Sequence, residues 1–403
     1  MFRVVKHNNG YYIWRKLISA GFISICFLAL LSIILFVLFL LAEIFVSGAD
    51  ALLTRRIFVP VAKESQLLDT HIDYLQYKKI VYNGMNILFK ESSYDKKSTQ
   101  EIADSLVSDY SIREITSSNI VMHKGYSGVW LLVCRKMLVA EAPKLVKDAL
   151  SYLKNRDLFK TSFNTKFFFG NDSAYPEAAG IAGSIVGTLL SILVAMAISI
   201  PIGMAVGIYF SEISADNKLN RFVFAVIVNL ASVPTVVYGL LSFAMFISFL
   251  GIPRSTALLA GMTLALIAVP HVIITVIDAV QLVPKGIKHS ALALGASRIQ
   301  VVLHHSLPIA SQRLVAGVLL SMARVIGETA PLVIIGMLVF TTERSWYLSD
   351  VSTTLPIRIY LWSKNPNGDY QNMASGTILV LVLILMLISI LARILKYKSV
   401  MRN

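Results

Sequence analysis

Six stretches of this chain are apolar over lengths that a soluble helix does not need: residues 17–42, 181–210, 222–250, 256–282, 314–340 and 374–391. A bilayer core takes about 20 apolar residues as a helix, so the pattern predicts six transmembrane helices. The first run has no charge in 26 residues and follows Arg15 and Lys16. A signal peptide has an apolar stretch of only about 7–15 residues and then a cleavage site. This run instead continues into Glu43, Ile44 and Phe45, which predicts an uncleaved helix over 17–46 whose N-terminus is cytoplasmic. Residues 47–180 break the pattern, with 33 charged residues and no apolar run of 18. The short runs 57–61 and 129–133 have strand character. The stretch 139–155 has helical spacing, and Pro143 marks a helix start. The expected architecture is an all-α polytopic membrane protein of six transmembrane helices with an inserted extracytoplasmic α/β domain at 47–180. The remaining five helices occupy 181–395, and tails 1–16 and 396–403 are cytoplasmic. Four of the runs carry an internal proline: Pro201, Pro234, Pro270 and Pro331. Neighbouring helices satisfy the carbonyls that such prolines free, and broken helices recur along transport pathways.

Composition agrees with this reading. Of 403 residues, 56% are hydrophobic and 15% charged, against about 25% charged in soluble domains. The mean hydropathy is +0.69 and the pI about 9.6. The net charge of +14 suggests nucleic acid until its distribution is read. The expected cytoplasmic parts, 1–16, 211–221, 283–313 and 393–403, hold 14 Lys and Arg against 2 Asp and Glu. Lys and Arg beside short loops stay in the cytoplasm, so topology accounts for most of the excess. No basic stripe with interleaved aromatics points to nucleic acid. Cys26 lies in the first apolar run and Cys134 in the polar domain. With no CxxC spacing, neither reads as a metal or redox residue.

Two segments carry candidate chemistry. Residues 283–313, VPKGIKHSALALGASRIQVVLHHSLPIASQR, contain Lys285, Lys288, Arg298 and Arg313 and no acid. They are too polar to span and too apolar for a free linker. The stretch 288–294 reads as a short helix, Gly295 as a turn that favours a residue without a side chain, and 299–303 as a second apolar piece leading to Leu307 and Pro308. Such a segment either sits in a partner's groove or lies on the headgroups. His289, His304 and His305 stand among basic residues, which oppose a bound cation. The second segment, SMARVIGETAPLVIIG, places Arg324 and Glu328 four residues apart inside the fifth helix, on one face. A charge at the centre of a bilayer costs at least ~2.5–3.5 kcal/mol. The pair is therefore either a tie between helices or part of a watery path. The forked guanidinium of Arg324 suits a tetrahedral oxyanion, and Thr329 adds a hydroxyl.

The segment 283–313 resembles the coupling loop of type I ABC importer permeases, EAA-x3-G-x9-I-x-LP. Gly295, Leu307 and Pro308 fit its spacing. His289 stands at the family glutamate, Ser290 at its first alanine, Ala291 at its second and His305 at its isoleucine. R-V-I-G-E-T-A-P over 324–331 is similar to the RxIGETAP stretch of phosphate importer permeases, especially the PstA type. ASVPTVVYGL over 231–240 is similar to that family's VPSIVxGL stretch, and 270–284, with Asp278, Ala279, Val283 and Pro284, to its LP…EA…VP stretch. Residues 167–190 look like the entry to the first core helix of its longer members. The likeness covers about 167–395; the insert is not part of the common core.

This resemblance implies a permease subunit of an ATP-driven inorganic phosphate importer in the bacterial inner membrane. It implies a PstC-like permease partner, a PstB-like ATPase dimer and a PstS-like phosphate-binding protein. It further implies that Lys288, His289, Ser290, Ala291, Gly295, Leu307 and Pro308 couple to the ATPase, and that Arg324, Glu328 and Thr329 line the path. Glu328 would orient Arg324 or take a proton from phosphate. With His289 in place of the family glutamate the sequence departs from the pattern at its usual charged contact, while the steric coupling is kept. No G-x4-G-K-[ST] pattern occurs in the chain, so the implied ATP and magnesium belong to the partner ATPase, and no cofactor is expected on this subunit. The rivals are a permease for sulfate, molybdate or phosphonate, the PstC-type partner itself, and a membrane-anchored enzyme or sensor acting through 47–180. That domain offers His71, His123 and Cys134 but no nucleophile–base motif.

Overall fold

The computed structural model describes residues 9–61, 74–90, 94–113, 119–123, 126–133 and 143–401. His71, Cys134, Arg402 and the first eight residues of the expected cytoplasmic tail lie outside the described residues.

Helix α1 runs over Asn9–Leu52, longer at both ends than the apolar run that predicts it. Between Ile18 and Val46 its apolar side chains are exposed almost throughout, as expected of a helix whose solvent is lipid. It meets the body of the protein at Gly48. A Cβ there would come within 2.6 Å of Leu379 Cδ1 and 3.0 Å of the Ser375 carbonyl, so the missing side chain lets two helices touch.

Strand β1 (Leu53–Pro60) follows without a loop. Then come α2 (Tyr74–Leu88), α3 (Lys96–Leu106), α4 (Asp109–Arg113), β2 (Val121–His123), β3 (Tyr126–Leu132), α5 (Lys144–Asn155) and β4 (Phe159–Phe163). The strands form one antiparallel sheet in the order β2-β3-β1-β4. Ile57, Val59, Val129 and Leu131 alternate toward one face, where Val81 and Met85 of α2, Ile102 and Leu106 of α3, and Val146 and Leu153 of α5 complete a buried core. His123 packs with ring centroids 5.1 Å from Phe58 and 5.3 Å from Trp130, and its Nε2 lies 3.1 Å from the Asp157 carbonyl. His123 is thus packed against two aromatic rings.

Asn164 closes the insert against the membrane part. Its side-chain amide donates to the Ala51 carbonyl at 3.0 Å, and its oxygen accepts from Phe167 N at 3.2 Å. From there run α6 (Thr165–Phe169), α7 (Ala182–Ile208, closing in a π-helical turn Tyr209–Ile213), α8 (Lys218–Leu230) and α9 (Thr235–Ser242, with a π-helical continuation Phe243–Phe249). The rest is α10 (Ala257–Gln281), α11 (Lys285–Ala293), α12 (Arg298–Val301), a π-helical turn Val302–Ser306, α13 (Leu307–Ile326), α14 (Ala330–Ile334), α15 (Leu355–Ser363) and α16 (Gly368–Met401). Helix α10 is the most enclosed span, packed between α7 and α13. Gly203 and Gly261 set the α7–α10 spacing, since a Cβ would fall 2.5 Å from Val272 Cγ1 or 2.4 Å from Val194 Cβ.

Among the described residues, five helices are long and apolar enough to cross a membrane, and the α8–α9 pair makes a sixth crossing if taken as one span. The single helix expected over 222–250 is divided in two: the chain bends by 99° between α8 and α9. Pro234 is the N-cap of α9 rather than an interior residue. The Tyr238 hydroxyl donates to the Leu230 carbonyl at 2.8 Å, supplying the partner that the broken ladder withdraws. The helix expected over 314–340 also breaks. It ends at Ile326, and Pro331 lies in the first turn of the short α14. Pro201 and Pro270 remain inside α7 and α10.

Candidate functional site

The two broken helices meet. A Cβ on Gly239 of α9 would lie 2.8 Å from Pro331 Cα and 3.0 Å from Ile334 Cδ1 of α14. Tyr238, Leu332, Ile335 and Met337 are buried there in the same cluster as α10 and α13. Arg324 sits in the last turn of α13 and is exposed. Glu328 follows the break and is half-buried, and Thr329 caps α14. This corrects the expectation of one uninterrupted helix with Arg324 and Glu328 a turn apart on a single face. Gly327 ends the helix between them, and among the described residues the two share no ion pair. Arg324 also stands at the end of its helix, about 25 Å from Leu307 at ~1.5 Å per residue, rather than in its middle. A cation there meets the negative end of the helix dipole. Its placement therefore costs less than a mid-helix charge, and the break leaves it directed out of the subunit's own core.

The segment after α10 forms the second part of the site. Pro284 caps α11, which starts three residues earlier than the sequence pattern suggests. Lys288 pairs with Glu212 from the end of α7 and donates to the Val280 carbonyl at 3.1 Å, and Ala291 is buried. These contacts pin one side of α11. The other side presents His289, Ser290, Leu292 and Ala293, and Leu294 beyond it is 90% exposed. Gly295 has φ +88°, a value that favours glycine. Ser297 and Gln300 form a reciprocal cap that starts α12. Leu307 opens α13, with Pro308 in its first turn, where its missing N–H costs nothing. His304 and His305 are exposed. A cavity of about 390 Å³ opens between α11, α12 and the end of α7, walled by Glu212, Lys285, Lys288, His289 and Arg298. Four of these five are basic or imidazole groups, so the surface is suited to an acidic, partly apolar partner face.

The sequence reading missed the most deeply buried charge among the described residues. Arg358 on α15 is 2% exposed and pairs with Asp172. Its Nε donates to Ser184 Oγ at 3.1 Å and its Nη2 to Thr341 Oγ1 at 3.2 Å, while its plane lies 5.6 Å from the Trp362 ring. Burial pushes the Asp172 carboxyl up, opposed by the Arg358 charge, and lowers the pKa of Arg358. The group ties α15 to the first turns of α7 at the end of the bundle away from α11. The only sequence signal was one arginine in the apolar stretch PIRIYLW.

Apolar spans, two of them interrupted and packed against each other, together with a polar two-helix segment at one end, define a membrane transport component. Residues 199–400 match the binding-protein-dependent transport system inner membrane component family, and the chain belongs to it. It is 30% identical over 165 residues to the phosphate transport system permease protein PstA of Haemophilus influenzae, covering 41% of this chain and 57% of that one. It is also 30% identical over 203 residues to the probable ABC transporter permease protein YqgI of Bacillus subtilis, covering 46% and 67% respectively. The chain thus spans between about half and two thirds of the length of these relatives. An inward-facing structure of the MetNI methionine ABC transporter superposes with a TM-score of 0.44 at 21% identity, over 54% of this chain and 94% of that one.

Proposed function

We propose that this chain is the permease subunit of an ATP-driven importer of inorganic phosphate. The carrying observation is that the family match, 199–400, contains both the α11–α12 segment and the broken helix bearing Arg324, Glu328 and Thr329. Relatives named as phosphate transport permeases in several organisms support the choice of anion. In this reading the exposed side of α11, with Leu292 and Leu294, docks on a PstB-like ATPase dimer, which binds ATP and magnesium. A PstC-like permease faces the breaks at 231–234 and 327–329 and completes the path. A PstS-like protein delivers phosphate to the face where Arg358 is buried. The chain is then a multi-pass protein of the bacterial inner membrane with both termini cytoplasmic, and the 47–180 insert lies outside.

Energy reaches the path mechanically. Ala291 is buried and Lys288 is tied to α7, so a push on α11 is passed to α7 and, through the π-helical turn, to α13. Arg324 rides on the far end of α13. The test is labelled-phosphate uptake in cells that lack their own permease pair, supplied with this chain and its partner subunits. Uptake that excess phosphate suppresses, and excess sulfate, molybdate or phosphonate does not, is the expected result. Suppression by one of the other anions instead would move the assignment to that oxyanion.

A further inference from the structure

We infer that the insert carries its own binding site for a phosphate-group anion, at the junction where the sheet meets the membrane helices. Strand β1 is interior to the sheet, and its register sets Arg56 opposite Lys160 on β4 and Leu132 on β3. Residues opposite one another share a face, with Cβ atoms about 4.5–5.5 Å apart, and like charges in that position repel. Arg56 also lines a cavity of about 370 Å³ with Ser111, Asn119, Trp130 and Lys166. Among the described residues that line it there is no carboxylate. The Arg56 Nε is buried and finds no hydrogen-bond acceptor among the described residues. A buried donor left unmet costs its desolvation, and more so on a charged group. Lys166, also in the lining, is exposed, its Nζ 3.4 Å from the Tyr110 hydroxyl and 5.2 Å above that ring.

A small tetrahedral oxyanion answers each of these features. It accepts from the guanidinium fork of Arg56 and from the ammonium of Lys166, and it offsets the Arg56–Lys160 repulsion. Trp130 also lines the cavity. The Ser111 hydroxyl already donates to the Ser108 carbonyl at 2.8 Å, so the cations dominate. Position gives occupancy a consequence. Arg56 stands four residues after α1, and Lys166 lies on α6, which leads into α7. An anion between them clamps the exit of the first span to the entry of the second. Its phosphate group comes either from solution or from a lipid headgroup.

The experiment uses the full chain in nanodiscs, in an Arg324→Ala background so that the proposed path does not contribute to binding. Hydrogen exchange in β1 and α6 is followed while inorganic phosphate is added to zwitterionic discs. In a second arm, discs containing anionic phosphatidylglycerol are compared without added phosphate. Arg56→Gln and Lys166→Gln are carried through both arms. Lys166 is exposed, so its variant keeps the fold even if Arg56→Gln does not. Protection by added phosphate that weakens at least tenfold in apparent affinity in Lys166→Gln supports a soluble anion. Protection only in the anionic discs, lost in the same variant, supports a headgroup. No protection in either arm, or protection unchanged in both variants, overturns the site. Transport through Arg324 is read separately, so loss of one claim leaves the other standing.

Discussion

Arg324 is the residue on which the transport reading presses hardest. It stands exposed at the end of α13, beside the break at Gly327, with no carboxylate paired to it among the described residues. Arg324→Ala should reduce phosphate uptake to background while the subunit still reaches the membrane, as immunoblotting of membrane fractions would report. Near-normal uptake would reduce Arg324 to a helix-end charge. Arg358 has the opposite character, since all of its contacts are internal. Arg358→Met leaves Asp172 buried and unpaired, which should destabilise the protein by ~3–5 kcal/mol. Replacing both, Arg358→Met with Asp172→Leu, should recover much of that loss, read as the thermal unfolding midpoint in detergent. Gly295→Val forces a β-branched residue to φ +88°, a strain of about 1–3 kcal/mol. The turn should shift, and ATPase activity in reconstituted vesicles should run without matching transport.

Among the elements, α11 holds the clearest division of labour. Leu294 is 90% exposed and touches little of its own chain. Leu294→Glu should therefore leave unfolding unchanged and reduce co-purification of the ATPase. Full recovery of the ATPase would show that α11 lies on lipid instead. The position of this segment was legible because Gly295 and Leu307-Pro308 punctuate it by chemistry that acts locally. Spans α1, α7, α10 and α16 were legible because each exceeds the length a bilayer requires. The bend at Pro234 and the stop at Gly327 were not, because hydropathy reports solvent preference and is blind to direction. A proline can sit inside a helix, as Pro201 and Pro270 do, or begin one, as Pro234 and Pro331 do, and only packing decides which. Arg358 and Asp172 are 186 residues apart, so no local pattern could pair them.

For the whole molecule, the polar ends sort into two groups. Glu212, Lys288 and the start of α13 lie together, and Asp172, Thr341 and Arg358 lie together at the other end. The topology that follows is checked by reporter fusions. A reporter inserted near Asp109 should read outside and one fused after Lys398 inside; swapped signals would invert every assignment of face. Helix α8 adds a condition on assembly. None of its residues is buried, although Phe222, Phe224, Val226, Val228 and Leu230 are apolar and more than a third exposed. In a bilayer such a face is sheltered either by lipid or by a companion subunit; where the proposed partner permease covers it, a copy without that partner becomes an easier target for membrane proteases. The cell would then hold this subunit only in step with whichever companion covers α8, and abundance would be set by stoichiometry rather than by synthesis alone.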